Sequence, residues 1–452
     1  MEMSSSPTWL KQPAEGSEEN VCKASHRDII MFSEVSRPVT LSMKLLGLWH
    51  ERSPPGVAVH PAQQEDDAQS LQRNQFFIRN ILNRLGFVYH AFVVLVMWFD
   101  LIRFLVFIAP TLNLQNASYL CWYVQNATTN TVLFLACYRT CKIQRFFSYW
   151  QNPSAERHRV DFDHRSVDTQ APKPRCMLQR KKFKKVGILA ALGGWFFILG
   201  SYPVSMYFTF GYHGEEIRIM CSPWTSDIPC AFLQVISFFA LACHKFPVVY
   251  LCLICYVLSE RFDSLTKAFK EENPLGTCAR ADVLEETRRQ HNILCLLTSQ
   301  CDYIFSTLVA IVFATDIPLL IFLMYDIYFP SDSSSTFTTA LNAYWGVSNM
   351  LNILLISWCC SMLNEKAHSL RRHVYELHVD ASDTRTSHIH LLLVSRLNGP
   401  NIGLSFIGFF TVTRNVILTI AGFVLTYFTL LIDLGPEKSH NLCSNATSNL
   451  TS

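Results

Sequence analysis

Long apolar runs alternate with charged stretches along this chain, and the alternation predicts its architecture. Seven runs reach the length of roughly 20 residues that a helix needs to cross a bilayer. They lie at about 87–109, 119–141, 186–210, 228–258, 297–329, 341–363 and 412–434. The stretches after the fourth and sixth runs, 259–290 and 364–396, stay helical in pattern but turn highly charged, so these helices are expected to continue beyond the membrane. Asn273-Pro274-Leu275-Gly276 folds the first of them, 259–296, into a helical hairpin. The pattern predicts an all-α polytopic membrane protein with seven transmembrane helices.

Polar positions inside the runs refine this picture. Asp100 and Arg103 lie three apart in the first run and can pair along one helix. The second run begins with Gln125, Asn126, Thr128, Thr129 and Asn130, a face that must turn toward protein or water. The third carries Gly193, Gly194 and Gly200 for close packing, with Pro203 as a kink position. The last run, from Gly408 onward, has small and hydroxyl residues at Thr419, Ala421, Gly422, Thr426 and Tyr427, and ends in Asp433. Such a face suits packing against copies of itself better than facing lipid. Gly399 to Arg414 is expected to form a separate short helix before it.

The expected organisation is therefore a disordered cytosolic region over 1–70 and an amphipathic interfacial helix over 71–86, with Arg73, Arg79 and Arg84 on its polar side. A six-helix bundle over 87–363 follows, then anchor helices and the pre-pore helix over 364–411, a last helix over 412–434, and a tail over 435–452.

Composition agrees with a membrane protein: half of the 452 residues are hydrophobic and 33 are Phe. A net charge of +3 gives no reason to expect a nucleic-acid partner. Most of the 16 Cys fall inside apolar runs as small packing residues. Cys252 and Cys255 form a CxxC with no second half, so neither a metal nor any cofactor is expected. His373, His378, His388 and His390 fit a solvated helix face. The runs offer only scattered acids, which argues against an enzyme.

Basic residues set the orientation. The loops 142–185, 259–292 and 364–398 are rich in Lys and Arg, including Lys181-Lys182-Phe183-Lys184-Lys185, whereas the alternate loops carry only Arg218 and Lys438. The positive-inside rule then places the N-terminus inside and the C-terminus outside. Candidate glycosylation sites at Asn116, Asn445 and Asn449 all fall on the expected outside, and Cys221–Cys230 is a candidate disulfide there.

Seven helices in this orientation do not fit a G-protein-coupled receptor, whose N-terminus lies outside; Asp-Arg-Tyr after the third run and Asn-Pro-x-x-Tyr in the seventh are also absent. The chain instead resembles the insect gustatory receptors, a family of tetrameric ligand-gated cation channels. The family motif in the last helix is Thr-Tyr, five mostly apolar residues, then Gln-Phe; here Thr426-Tyr427 is followed at that spacing by Asp433-Leu434. The resemblance implies a homo- or heterotetramer in the cell membrane, surrounded by lipid, that passes cations and is opened by a small organic ligand. It implies that the last helix lines the pore and that the cytosolic extensions join the subunits.

On that reading, four copies of Asp433 make a carboxylate ring at the outer pore mouth, and Leu430 with Leu434 forms an apolar constriction. The plain alternatives are an exposed acid at a helix end and lipid-facing leucines. Thr426 and Tyr427 are expected to pack the helix against its own subunit. Tyr119, Trp122, Tyr123, Tyr207, Asp316, Tyr325, Tyr344, Trp345 and Asn349 are the candidate ligand-pocket residues, against a background of aromatics that favour membrane interfaces. The other readings are an inverted seven-helix metabotropic receptor and a small-molecule transporter; no internal repeat supports the transporter.

Overall fold

Long apolar runs bounded by Pro, Gly and charge fold here as uninterrupted helices, because backbone polar groups in a bilayer must be satisfied within the segment. The computed structural model describes residues 31–50, 66–107, 114–138, 174–211, 227–273, 280–330, 336–380 and 382–433. In chain order the helices are α1 (Met31–Leu45), α2 (Asp66–Phe107), α3 (Leu114–Tyr138), α4 (Pro174–Gly211) and α5 (Asp227–Glu272), then α6 (Ala281–Tyr328), α7 (Thr336–His368), α8 (Leu370–Tyr375), α9 (Thr384–Leu397) and α10 (Arg414–Asp433). Six described helices are long and apolar enough to cross a membrane: the apolar parts of α2, α4, α5, α6 and α7, and α10. The seventh, α3, is less apolar and packs against α2, α5 and α6. Its Gln125, Asn126, Thr129 and Asn130 are buried, so the polar face does turn into the bundle.

α5 is the central helix. Its apolar window is 83% buried, and it touches α1, α2, α3, α4, α6 and α7. Gly194 on α4 lets Phe246 of α5 approach; a Cβ there would come within 3.0 Å of the Phe246 ring. Cys252 and Cys255 of α5, Cys301 of α6, and Cys359 and Cys360 of α7 are buried thiols in one seam, the packing role expected of them.

Three expectations are revised. Residues 31–50 are folded rather than disordered: α1 buries Val35, Val39 and Met43, one face at helical spacing, against α4 and α5. Ser42 Oγ accepts a hydrogen bond from Trp195 Nε1 at 2.9 Å. At Gly187 a Cβ would sit 2.0 Å from the Val35 carbonyl oxygen, so only glycine permits this approach. Gly47, at φ 67°, then turns the chain and buries Leu48 and Trp49, whose ring meets Tyr250 edge-on at 5.3 Å. Second, 71–86 is no separate interfacial helix but belongs to the continuous α2.

Third, 399–413 is a turn and not a helix. Gly399-Pro400, Gly403 and Gly408 weaken helix formation, and the chain crosses itself at a Ser405–Thr411 bridge. Ile407 and Gly408 have φ of 47° and 78°, and Phe406 stacks on Phe410 at 5.3 Å. An acid from α6 holds the turn: Asp302 accepts from Ser405 N at 2.6 Å and from its Oγ at 2.9 Å.

The charged continuations of α5, α6 and α7 form, with α8 and α9, a second small core of Phe269, Leu284, Leu370, Val374, Ile389, Leu393 and Leu397. Asp383 caps α9, accepting from Arg385 N at 3.1 Å and Thr386 N at 3.2 Å. Those bonds, with the Thr386 hydroxyl foremost, hold its carboxyl below the usual carboxylate range. Among the histidines of this region, His390 hydrogen-bonds the Val374 carbonyl at 3.0 Å and His373 pairs with Glu376 at 3.7 Å, while His378 and His388 are exposed.

Candidate ligand site and pore helix

Polar groups at membrane depth are costly unless they are partnered, and here they converge on one place between α3, α5, α6 and α7. Asp316 of α6 is fully buried and accepts a hydrogen bond from Gln125 Nε2 of α3 at 2.8 Å. Lys245 of α5, also buried, donates to Ser348 Oγ of α7 at 2.9 Å and lies 4.1 Å over the Phe197 ring of α4. Lys245 and Asp316 influence each other electrostatically without forming a direct ion pair. Asn352 of α7 meets His244 Nε2 at 2.8 Å. Several buried atoms here have no hydrogen-bond partner among the described residues: Gln125 Oε1, both amide atoms of Asn126, Thr129 Oγ1, His244 Nδ1 and Asp316 Oδ2. Unpartnered polar atoms in an apolar bundle are what a guest molecule or ordered water would satisfy.

The candidate pocket residues fall into groups. Asp316 and Asn349 are buried in this network, with Asn349 beside His244. Tyr344 and Trp345 line its α4 side: Tyr344 OH meets Ser201 Oγ at 2.7 Å, and Phe197 stacks on Tyr344 at 6.1 Å. Tyr119, Trp122 and Tyr123 lie two to six residues before Gln125 on α3. Tyr123 packs on Phe104 at 5.0 Å, and its hydroxyl accepts from Arg103 at 3.5 Å. Arg103 in turn pairs with Asp100 at 2.7 Å, the pairing their spacing suggested. Tyr325 lies farther along α6, against Phe329. Tyr207 belongs to α4, but its side chain lies outside the described residues. His244 and Lys245 were not among the residues that the sequence pattern singled out. The signal was present, because a His-Lys pair inside an apolar run is itself a mark of function.

α10 differs from every other crossing helix in having no buried residue. It packs chiefly on α6 and α7 along part of its length, where Tyr328 meets Phe428 edge-on at 6.2 Å. Thr426 Oγ1 donates to the Gly422 carbonyl at 2.8 Å, one turn back. Tyr427 is exposed and packs on Phe423 of its own helix at 4.2 Å, so it does not pack α10 onto the rest of its chain as expected. Leu430 is exposed; Asp433 is the exposed last residue of the helix; Leu434 lies outside the described residues. Arg414, at the helix start, pairs with Glu365 of α7 at 2.6 Å.

The model of the 7tm chemosensory receptor family matches residues 189–434, more than half of the chain. The chain belongs to the 7tm chemosensory receptor family. It is therefore a multi-pass membrane receptor rather than an enzyme. The receptor's fold is that of a solved insect olfactory receptor, OR5 from Machilis hrabei. The eugenol complex of that protein matches at a TM-score of 0.62 with 16% identity, covering 90% of this chain and all of the other. A second structure of OR5 from Machilis hrabei matches at a TM-score of 0.61 with 14% identity and the same coverage. No curated protein matches the receptor's sequence.

Asn116 lies in the first turn of α3 rather than in a loop. Cys230 is disulfide-bonded, whereas Cys221, Asn445 and Asn449 lie outside the described residues.

Proposed function

We propose that this receptor is a gustatory-receptor-like, ligand-gated cation channel of four chains. α10 lines the pore, and a small organic molecule binding among α3, α5, α6 and α7 opens it. The observation that carries the reading is the bare α10: its small-residue face, with nothing within 4 Å of a Cβ at Gly422, is left for other copies of the chain. The orientation is N-terminus inside and C-terminus outside, with glycans at Asn116, Asn445 and Asn449 and a Cys221–Cys230 disulfide on the outer side. Leu430 and Leu434 narrow the pore and Asp433 gives its mouth negative charge.

The network combines neighbouring aromatics with a few unpartnered polar atoms, a composition suited to an aromatic, amphipathic ligand. Eugenol, which accompanies OR5 in one of the matching structures, has this chemistry and is the first probe. Opening travels through two contacts, Asp302–Ser405 from α6 and Glu365–Arg414 from α7, which join the bundle to the start of α10. The test expresses the full chain alone, images purified particles and records current during application of eugenol and a panel of related aromatics. Four-fold particles and a ligand-evoked cation current are expected. Monomers in lipid nanodiscs, together with silence to every compound, would overturn the reading.

A further inference from the structure

We propose that His50, His90 and Cys137 form a zinc site that ties the segment after α1 to α2 and α3. The three residues come from three elements: the turn after α1, the middle of α2 and the last turn of α3. All are buried, and their candidate ligand atoms lie within 4.8 Å of one another. His50 Nδ1 and His90 Nδ1 face each other at 3.1 Å. On a tetrahedral zinc with Zn–N bonds of roughly 2.0–2.1 Å, two imidazole nitrogens sit about 3.3–3.4 Å apart, so the rings need almost no movement to receive the ion.

The surroundings have the build of a metal site. His90 Nε2 lies 3.1 Å from Asn130 Oδ1. That bond fixes the Nε2–H tautomer and leaves the Nδ1 lone pair pointing at His50, as outer-shell partners do for metal-bound histidines. The rings of Phe87 and Phe134 wall the cluster, with Phe87 at 5.5 Å from His50 and Phe134 at 5.1 Å from His90. Cys137 is a thiol and not a disulfide. Two imidazoles and a thiolate match the ligand preference of zinc, leaving a fourth position for water. Sequence spacing could not reveal it, because the ligands lie 40 and 47 positions apart.

The test uses the full receptor purified in detergent, with zinc measured by elemental analysis and Co2+ as a spectroscopic probe. The expected result is close to one zinc per chain and, with Co2+, a thiolate-to-cobalt charge-transfer band. Cys137→Ser removes that band, His90→Gln lowers zinc content at least tenfold, and Asn130→Ala weakens binding roughly tenfold through the outer shell. Chelation of the wild-type protein lowers its thermal transition, a readout independent of whether any variant folds. Wild-type receptor with substoichiometric zinc and a melting temperature indifferent to chelator and added zinc would overturn the proposal. A cobalt band retained in Cys137→Ser would overturn it equally.

Discussion

α5 and α10 are similarly apolar and both long enough to span a bilayer, yet one is 83% buried and the other not at all. Lipid tails are as apolar as leucine, so hydrophobicity alone drives neither helix against a neighbour. α5 is held by shape and polarity: Gly194 admits Phe246, thiols fill the α5–α7 seam, and Lys245 and His244 find partners on α7. α10 has its own small residues and satisfies its Thr hydroxyls on its own backbone, at Thr419, Thr426 and Thr429. The first helix is finished within one chain; the second is finished, on the proposed reading, by other copies.

The largest effect is expected in α5. Phe246→Ala opens a cavity beside Gly194 and Trp195 and should cost about 3–5 kcal/mol, read as a lower thermal transition of the purified receptor. Gly422→Leu on α10 should change that transition by less than about 0.5 kcal/mol while reducing the four-fold particle fraction. Equal losses at the two positions would break the contrast. Close behind is Lys245→Met, which strips Ser348 of its charged donor and Asp316 of a nearby positive charge, at a cost of about 1.5–3 kcal/mol. Adding Asp316→Asn should recover part of the surface expression, and no recovery would separate the two groups.

A middle-sized effect is expected at the link between the two regions. Asp302→Ala removes the acceptor of the Ser405 backbone and hydroxyl, a loss of about 1–3 kcal/mol from the turn. Channels with this change should assemble normally but need more ligand for half-maximal current; an unchanged dose–response would mean that the turn does not transmit opening. The smallest is Asp433→Asn, which should shift the reversal potential in asymmetric salt by a few millivolts toward weaker cation preference. Identical reversal potentials would remove Asp433 from the pore mouth.

The crossing helices were legible in the sequence because their signal is local, a long apolar run between breakers. The inward face of α3 was legible for a similar reason, since polar groups at membrane depth have few places to go. α1 was not, because one 15-residue amphipathic turn-and-helix with Pro38 inside resembles any polar leader until Gly187 is seen to admit its backbone. Nor was the 399–413 turn, whose shape depends on Asp302, about a hundred positions earlier. The buried network was half visible: Asp316 and Asn349 stood out as polar residues near aromatics, while Lys245 passed as one charge in a long apolar run.

The docking of α1 also constrains how the chain is made. Ser42 leaves the ribosome 153 residues before Trp195, the residue that hydrogen-bonds to it. At roughly 5–20 residues per second, that delay is about 8–30 s. α1 must wait for α2, α3, α4 and α5 to be made before its binding groove is complete. A slowed or stalled ribosome in this interval would leave Val35, Val39 and Met43 exposed, so the cell has a window in which chaperones can inspect the nascent receptor before its first helix is sealed in place.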